Sequence, residues 1–213
     1  MIESGSHVPG IDPAKFGLLP HGAMRWEQPH ASLEGLIGDY FIFDSEGPES
    51  VGSVEWMLPN WPVIRFALAE NPMTIEAPDW RWSPLLEAGF YGPTSRVLKH
   101  TSSSGVSMGV SLTPAGVARL FDIDVADYRD RMVPLQSLLP EGCEQLVAEL
   151  RASDQGPAVK FIFDRFFLPR MNRPPPSEPR IMALNRLLLD DAIQTVGDLA
   201  SAVDLPVHSL ARL

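Results

Sequence analysis

The sequence contains a single cysteine, Cys143, which excludes an intramolecular disulfide framework and a cysteine-based zinc cluster. Nothing approaches the run of about 18 apolar residues that a membrane helix needs. The opening MIESGSHVPG lacks a basic-then-apolar signal pattern, so the expectation is a cytoplasmic protein with no membrane partner. The histidines His7, His21, His30, His100 and His208 are scattered, with no His-x-His pair followed by Glu or His. Their spacing offers no metal site. There is no P-loop and no G-x-G-x-x-G, and the G-x-S-x-G match GVSMG at 105–109 falls inside a predicted strand and not at a strand-to-helix turn, so no catalytic residue and no cofactor is expected. Ser102-Ser103-Ser104-Gly105 reads as a polar hairpin turn, and Cys143 as an inert packing residue. Basic residues are also few: 17 Lys and Arg stand against 27 Asp and Glu, a formal net charge of −10. A broad nucleic-acid surface needs Lys and Arg for phosphate contacts, so that balance argues against one.

What is present is ordinary for a packed globular chain: 45% hydrophobic and 21% charged residues over 213 positions, enough for one large domain and part of another. The charge is uneven. Residues 171–213 carry four Arg (Arg173, Arg180, Arg186, Arg212) against five carboxylates, a net of −1, so −9 of the total lies on residues 1–170. A linker at 169–179 holds five prolines, which block helix interiors and favour extended backbone. Residues 1–32, rich in Pro, Gly and His without a sustained period, read as an irregular N-terminal arm.

Residues 33–168 read as one domain of α+β class, with strands over 33–112 and helices over 113–168. Short β-branched and aromatic runs at 36–44, 62–69, 71–77, 87–92, 95–101 and 105–112 are separated by Gly, Pro, Asn and Ser clusters, the pattern of an antiparallel barrel or sandwich. In the last run, Val106, Met108, Val110 and Leu112 share one face, with Ser107, Gly109 and Ser111 on the other. Thr113-Pro114 then opens a helix, as a capping hydroxyl ahead of a first-turn proline. Asp124 caps a predicted helix over 124–132. Helices are also expected over 141–151 and 157–168, where Val159, Ile162, Phe163, Phe166 and Phe167 recur at helical spacing. That Phe-rich stripe offers either a two-fold interface for a homodimer or packing against the sheet.

Beyond the linker, 180–213 is helical text. RIMALNRLLLDDA (180–192) is amphipathic. Thr195 and Asp198 are three residues apart, similar to a capping box with Asp replacing Glu or Gln. Val196, Leu199, Ala200 and Val203 form an inner stripe, Asp204-Leu205-Pro206 a turn, and a second helix starts near Val207. Two short helices around a tight turn are helix-turn-helix geometry.

The run TVGDLASAVDLPVHSLARL (195–213) resembles the first helix-turn-helix of AraC/XylS-type transcriptional regulators, which read as a capped helix with Leu-Ala, a turn Leu, then Ser-x-x-x-Leu-x-Arg-x-Phe. Leu199-Ala200, Leu205, Leu210 and Arg212 hold the matching places. The stretches LPNW…VIRFALA, GFYGPTSR and GVSMGVSLTPAGVARLF are similar to one branch of AraC-type sensor domains. The resemblance implies a cupin-like β-domain that senses a small-molecule effector, helices for dimerisation and a truncated DNA-binding domain over 180–213. Pro206 stands where the family has a capping Ser. The sequence ends at Leu213, before the family's aromatic position and second helix-turn-helix. DNA is thus expected as a partner of the full-length protein only, through His208, Ser209 and Arg212.

Trp56, Trp61, Trp80, Trp82 and Tyr91, with Arg65 and Arg96 among them, are the candidate effector-binding residues, because small-molecule sites combine aromatic walls with one or two charged groups. An Arg in that wall suits an anionic effector, held bidentately. Trp80-Arg81-Trp82 alternates, so both indoles share a face and Arg81 points away. The same residues are also consistent with the core and rim of a small barrel. Two other functions stay open: a cupin-like enzyme acting on a small metabolite, and a ligand-free interaction module.

Overall fold

The computed structural model describes residues 1–16, 21–45, 47–69 and 73–210, with backbone only for Ser209 and Leu210. It divides into two units, Met1–Arg173 and Pro174–Leu213.

In the first unit the strands are β1 (Gly5–Ser6), β2 (Gly22–Glu27), β3 (Ile37–Ser45), β4 (Val54–Met57), β5 (Val63–Ala67), β6 (Thr74–Ala77), β7 (Trp80–Trp82), β8 (Ala88–Tyr91), β9 (Leu98–Thr101), β10 (Gly105–Leu112) and β11 (Met132–Pro134). They form a seven-stranded sheet ordered β1-β2-β3-β10-β5-β8-β11 and a four-stranded sheet ordered β4-β9-β6-β7. All pairings are antiparallel except β1 with β2. Among the described residues the two sheets are paired only within themselves, so they make a sandwich and not a closed barrel. The helices are α1 (Pro114–Leu120), α2 (Cys143–Ala152) and α3 (Ala158–Arg170).

The large sheet is the middle layer. Pairing places Met108 opposite both Ile42 and Phe66, and Val110 opposite both Tyr40 and Ile64. All of these are fully buried on the face that α3 covers. Phe163 of α3 stacks on Tyr40 at 5.0 Å and on Phe66 at 5.5 Å between ring centroids. On the opposite face, Tyr91 and Met132 join Ile75 and Leu98 of the small sheet in one buried cluster. Covered on both sides, β10 buries Ser107 and Gly109 as well as its apolar face, which alternation alone would have left in solvent.

Several expectations change. The segment 1–32 is not an irregular arm: β2 pairs along its length with β3 and holds β1 beside it. Its alternating Ala23, Arg25 and Glu27 lie among Gly and His, which hid the period. The predicted helix over 124–132 is a single 3-10 turn, Val125–Tyr128, with Asp124 Oδ1 accepting from Ala126 N–H at 3.0 Å. Asp130 then takes a left-handed φ of 56° and Met132 pairs with Tyr91, because the edge of β8 offers hydrogen bonds that a longer helix would leave unused. The serine run 102–104 is no hairpin: it carries the chain from β9 in one sheet to β10 in the other. At its end Gly105 has φ 130°, and a Cβ there would stand 2.6 Å from the Ala69 Cα. The proline-rich segment is also shorter than 169–179, since α3 continues through Pro169 to Arg170. The Phe stripe is taken up by the sheet: Val159, Ile162, Phe163, Phe166 and Phe167 are all buried, which removes the stripe as the expected dimer interface.

In the second unit, α4 (Glu178–Leu188), α5 (Val196–Ala202) and α6 (Val207–Leu210) succeed one another. Thr195 Oγ1 accepts from Asp198 N–H at 3.1 Å, and Asp198 Oδ2 accepts from Thr195 N–H at 2.7 Å, a full capping box. Asp204, at φ 52°, turns the chain toward α6. Val196, placed on the inner stripe by its spacing, is 60% exposed; Ala200 is the buried member.

Candidate ligand site between the sheets

The site grows from one sequence feature, the small residues of the second face of β10. Gly109 lies opposite Phe41 of β3 on one side and Arg65 of β5 on the other, and Arg65 in turn lies opposite Gly89 of β8. A Cβ at Gly109 would run into the Phe41 ring and stand 2.5 Å from the Ile64 carbonyl oxygen. The Phe41 ring lies over Gly109 and the Tyr91 ring over Gly89, and Arg65, flanked in the sheet by the two glycines, lies beside both rings. Its guanidinium carbon sits 5.2 Å from the Phe41 ring centroid and 5.6 Å from that of Tyr91, a cation held between two aromatic faces.

This cation has no hydrogen bond and no ion pair among the described residues, and its Nε–H is buried. Burial lowers the Arg65 pKa, while Tyr91 and Glu55 pull the other way; an arginine nevertheless stays charged. Tyr91 is 4% exposed and its hydroxyl has no partner among the described residues. Burial raises its pKa, opposed by Arg65, so the phenol keeps its proton and remains a donor. Ser107, on the same face of β10, is buried with its hydroxyl unpartnered. From the small sheet comes His100, 2% exposed, with neither ring nitrogen hydrogen-bonded among the described residues. Its Nδ1 lies 3.5 Å from Glu55 Oε2, and Glu55 is the carboxylate whose field reaches Arg65. Buried polar groups are nearly always satisfied, so these four side chains on the facing sides of the two sheets, without hydrogen-bond partners among the described residues, make this the candidate site.

Of the sequence candidates, the structure brings Arg65 and Tyr91 together and sets Trp80 and Trp82, half-buried, against the cluster that contains Tyr91. Arg81 points outward to Glu76 at 3.1 Å. Trp56 and Trp61 are 65% and 45% exposed and lie away from this space. Arg96 is exposed and paired with Asp79 at 2.8 Å. Sequence reasoning missed Phe41, Glu55, His100 and Ser107. Only Ser107 had a legible signal, as the polar member of an alternating strand flanked by glycine. A concavity of about 380 Å3 opens elsewhere, beside Asp44 and Asp154, but Asp44 already accepts from Ile2 N–H at 2.7 Å and none of its lining side chains is buried and unpartnered among the described residues.

Asp39 lies on the same side of β3 as Phe41 and accepts from the Ser111 hydroxyl at 2.9 Å. Burial raises its pKa, against the lowering effect of that hydrogen bond. The folded protein thus holds the proton more tightly than the unfolded chain, whose value is about 4. Stability from this group is greatest below the unfolded value and falls as pH rises through the folded one. Asp39→Asn is therefore expected to be more stable than the wild type at pH 7 in urea unfolding, with the difference shrinking below pH 4. A variant less stable at both pH values contradicts this.

In the second unit His208 is exposed on α6. Ser209 lies on the same helix, its side chain outside the description, and Arg212 falls outside the described residues. Among the described residues, no three His, Cys, Asp or Glu side chains gather as a metal site, and no helix is long and apolar enough to cross a membrane. Comparison with family models, curated proteins and solved structures finds no match for this chain.

Proposed function

We propose that this chain is the sensing part of a ligand-responsive, DNA-binding transcriptional regulator of AraC/XylS type. In this reading the first unit is a cupin-like sensor and the second begins the DNA-binding domain. The observation that carries it is the pairing, in one chain, of an inter-sheet space lined by unpartnered buried polar groups with a capped helix-turn-helix in a separate unit. The first is suited to an effector, the second to a DNA major groove. The mechanism is population shift: an effector that binds one arrangement of the sandwich more tightly favours that arrangement and, through the proline-rich segment, one presentation of the helix-turn-helix. The −9 carried by residues 1–170 keeps the sensor off the phosphates, so DNA contact falls to the recognition helix that begins with α6, through His208, Ser209 and Arg212.

The test is selection of random duplex DNA by the intact protein. An enriched sequence is expected, bound with an affinity that changes at least fivefold when the effector is added. Failure to enrich any sequence overturns the regulator reading.

A further inference from the structure

We infer that the space between the sheets takes a small polar carboxylate, one bearing a hydroxyl or carbonyl besides its carboxylate, with Arg65 and Tyr91 receiving the anionic end. The inference rests on the sensor reading and names the ligand class of that same site. Three observations lead to it.

The first is charge. A buried cation without a counter-ion is costly, and proteins pair such groups or bring a ligand to them. Arg65 has no ion pair among the described residues, and the carboxylate whose field reaches it, Glu55, is turned toward His100 at 3.5 Å. An anion completes the site where a neutral or cationic ligand would not. The second is geometry. The guanidinium carbon lies over the Phe41 and Tyr91 rings, 5.2 and 5.6 Å from their centroids, and a guanidinium stacked on rings meets a carboxylate through its N–H edge. The protonated Tyr91 hydroxyl adds a donor beside it. The third is the number of groups left over. Ser107 and both ring nitrogens of His100 also lack partners, more hydrogen-bonding capacity than one carboxylate takes up. A purely apolar acid would leave them orphaned at a cost comparable to that of a lost hydrogen bond each, so the ligand carries a second polar group.

The experiment is thermal unfolding of the intact chain with lactate, 2-oxoglutarate, gluconate and 4-hydroxybenzoate, each beside its primary amide, and with benzoate as the acid lacking a hydroxyl. At least one polar carboxylate is expected to raise Tm in a concentration-dependent way, with its amide at least tenfold weaker. Arg65→Met removes the charge while keeping the length. It is expected to fold with an unchanged or higher Tm in the absence of ligand, and to lose the ligand-dependent shift. Tyr91→Phe, which keeps the ring and removes only the hydroxyl, covers the case in which R65M does not fold; it is expected to weaken binding three- to tenfold. Amides as effective as acids, an equal shift in R65M, an undiminished affinity in Y91F where R65M cannot be read, benzoate matching 4-hydroxybenzoate while no other polar acid binds, or no shift with any probe each overturn the inference. Neutral probes alone raising Tm would overturn it and leave the sensor reading standing. A polar carboxylate that binds here yet leaves DNA retention unchanged would sink the regulator reading and not the ligand class.

Discussion

Phe163→Ala is expected to lower the unfolding free energy by about 3–5 kcal/mol, the usual cost of truncating a fully buried phenylalanine. The ring is fully buried and meets Tyr40 at 5.0 Å, Phe66 at 5.5 Å and Phe167 at 6.1 Å. Its loss opens a cavity where the sheet strands meet the helix layer, and neither the strands nor a helix anchored by Val159 and Phe167 can move in to fill it. Phe161, two positions earlier on the same helix, is 66% exposed. Alanine there should cost only a few tenths of a kcal/mol. Chemical unfolding of both variants checks the pair, and equal losses would mean that α3 does not present the 159/163/167 side to the sheet.

The second large effect is expected at the next residue. Asp164 is a buried carboxylate that accepts three hydrogen bonds: from the Tyr40 hydroxyl at 3.0 Å, from His30 N–H at 2.9 Å and from Lys160 Nζ at 2.6 Å. It ties α3 to β3 and to the segment entering β3. Tyr40 is fully buried and its pKa is raised strongly, first by burial and then by Asp164. The phenol is thus a neutral donor with nowhere else to bond. Asp164→Ala leaves that donor and the His30 amide without an acceptor and is expected to cost about 3 kcal/mol. Asp164→Asn keeps one acceptor oxygen and should cost less. Tyr40→Phe combined with Asp164→Ala should lose less than the sum of the single changes, because each removes the other's unsatisfied partner. Strict additivity in this double-mutant cycle would show that the Tyr40–Asp164 bond does not exist in solution.

These two residues also show what a sequence can and cannot reveal. Phe163 was legible: its place in a 3–4 spaced stripe marks it as inward-facing. What it faces was not, and the stripe fitted a dimer interface equally well until the sheet was seen to occupy it. Asp164 was invisible, because two of its three partners lie 124 and 134 residues earlier in the chain, and its local partner Lys160, four residues before it, is what a solvated aspartate on a helix would also have. The same contrast holds at the site. Arg65 and Tyr91 stand out as a charge and an aromatic among strands. His100 and Glu55 come from separate strands of the smaller sheet, and only the packing of one sheet on the other brings them near Arg65. Trp56, Trp61 and Arg96 carry the same residue-type signal and lie elsewhere, since residue type does not say which side of a short strand or loop faces inward.

The periodic elements are written in the order of the residues. Six of the eight strands between 36 and 112, the helices starting at Thr113-Pro114 and within 141–168, and the capped pair of helices after Thr195 all come from alternation, helical spacing and capping chemistry, which act over a few neighbouring residues. The chain's division at the proline-rich segment and the scarcity of cysteine and of basic charge are equally plain in the sequence. Folding in three dimensions was needed to make 22–27 a strand of the large sheet, to break 124–132 into a turn and an edge strand, and to leave an arginine unpaired between two rings and two glycines. Those outcomes depend on hydrogen bonds and burial between residues far apart in the chain, where the local signal is weak and the long-range partner decides.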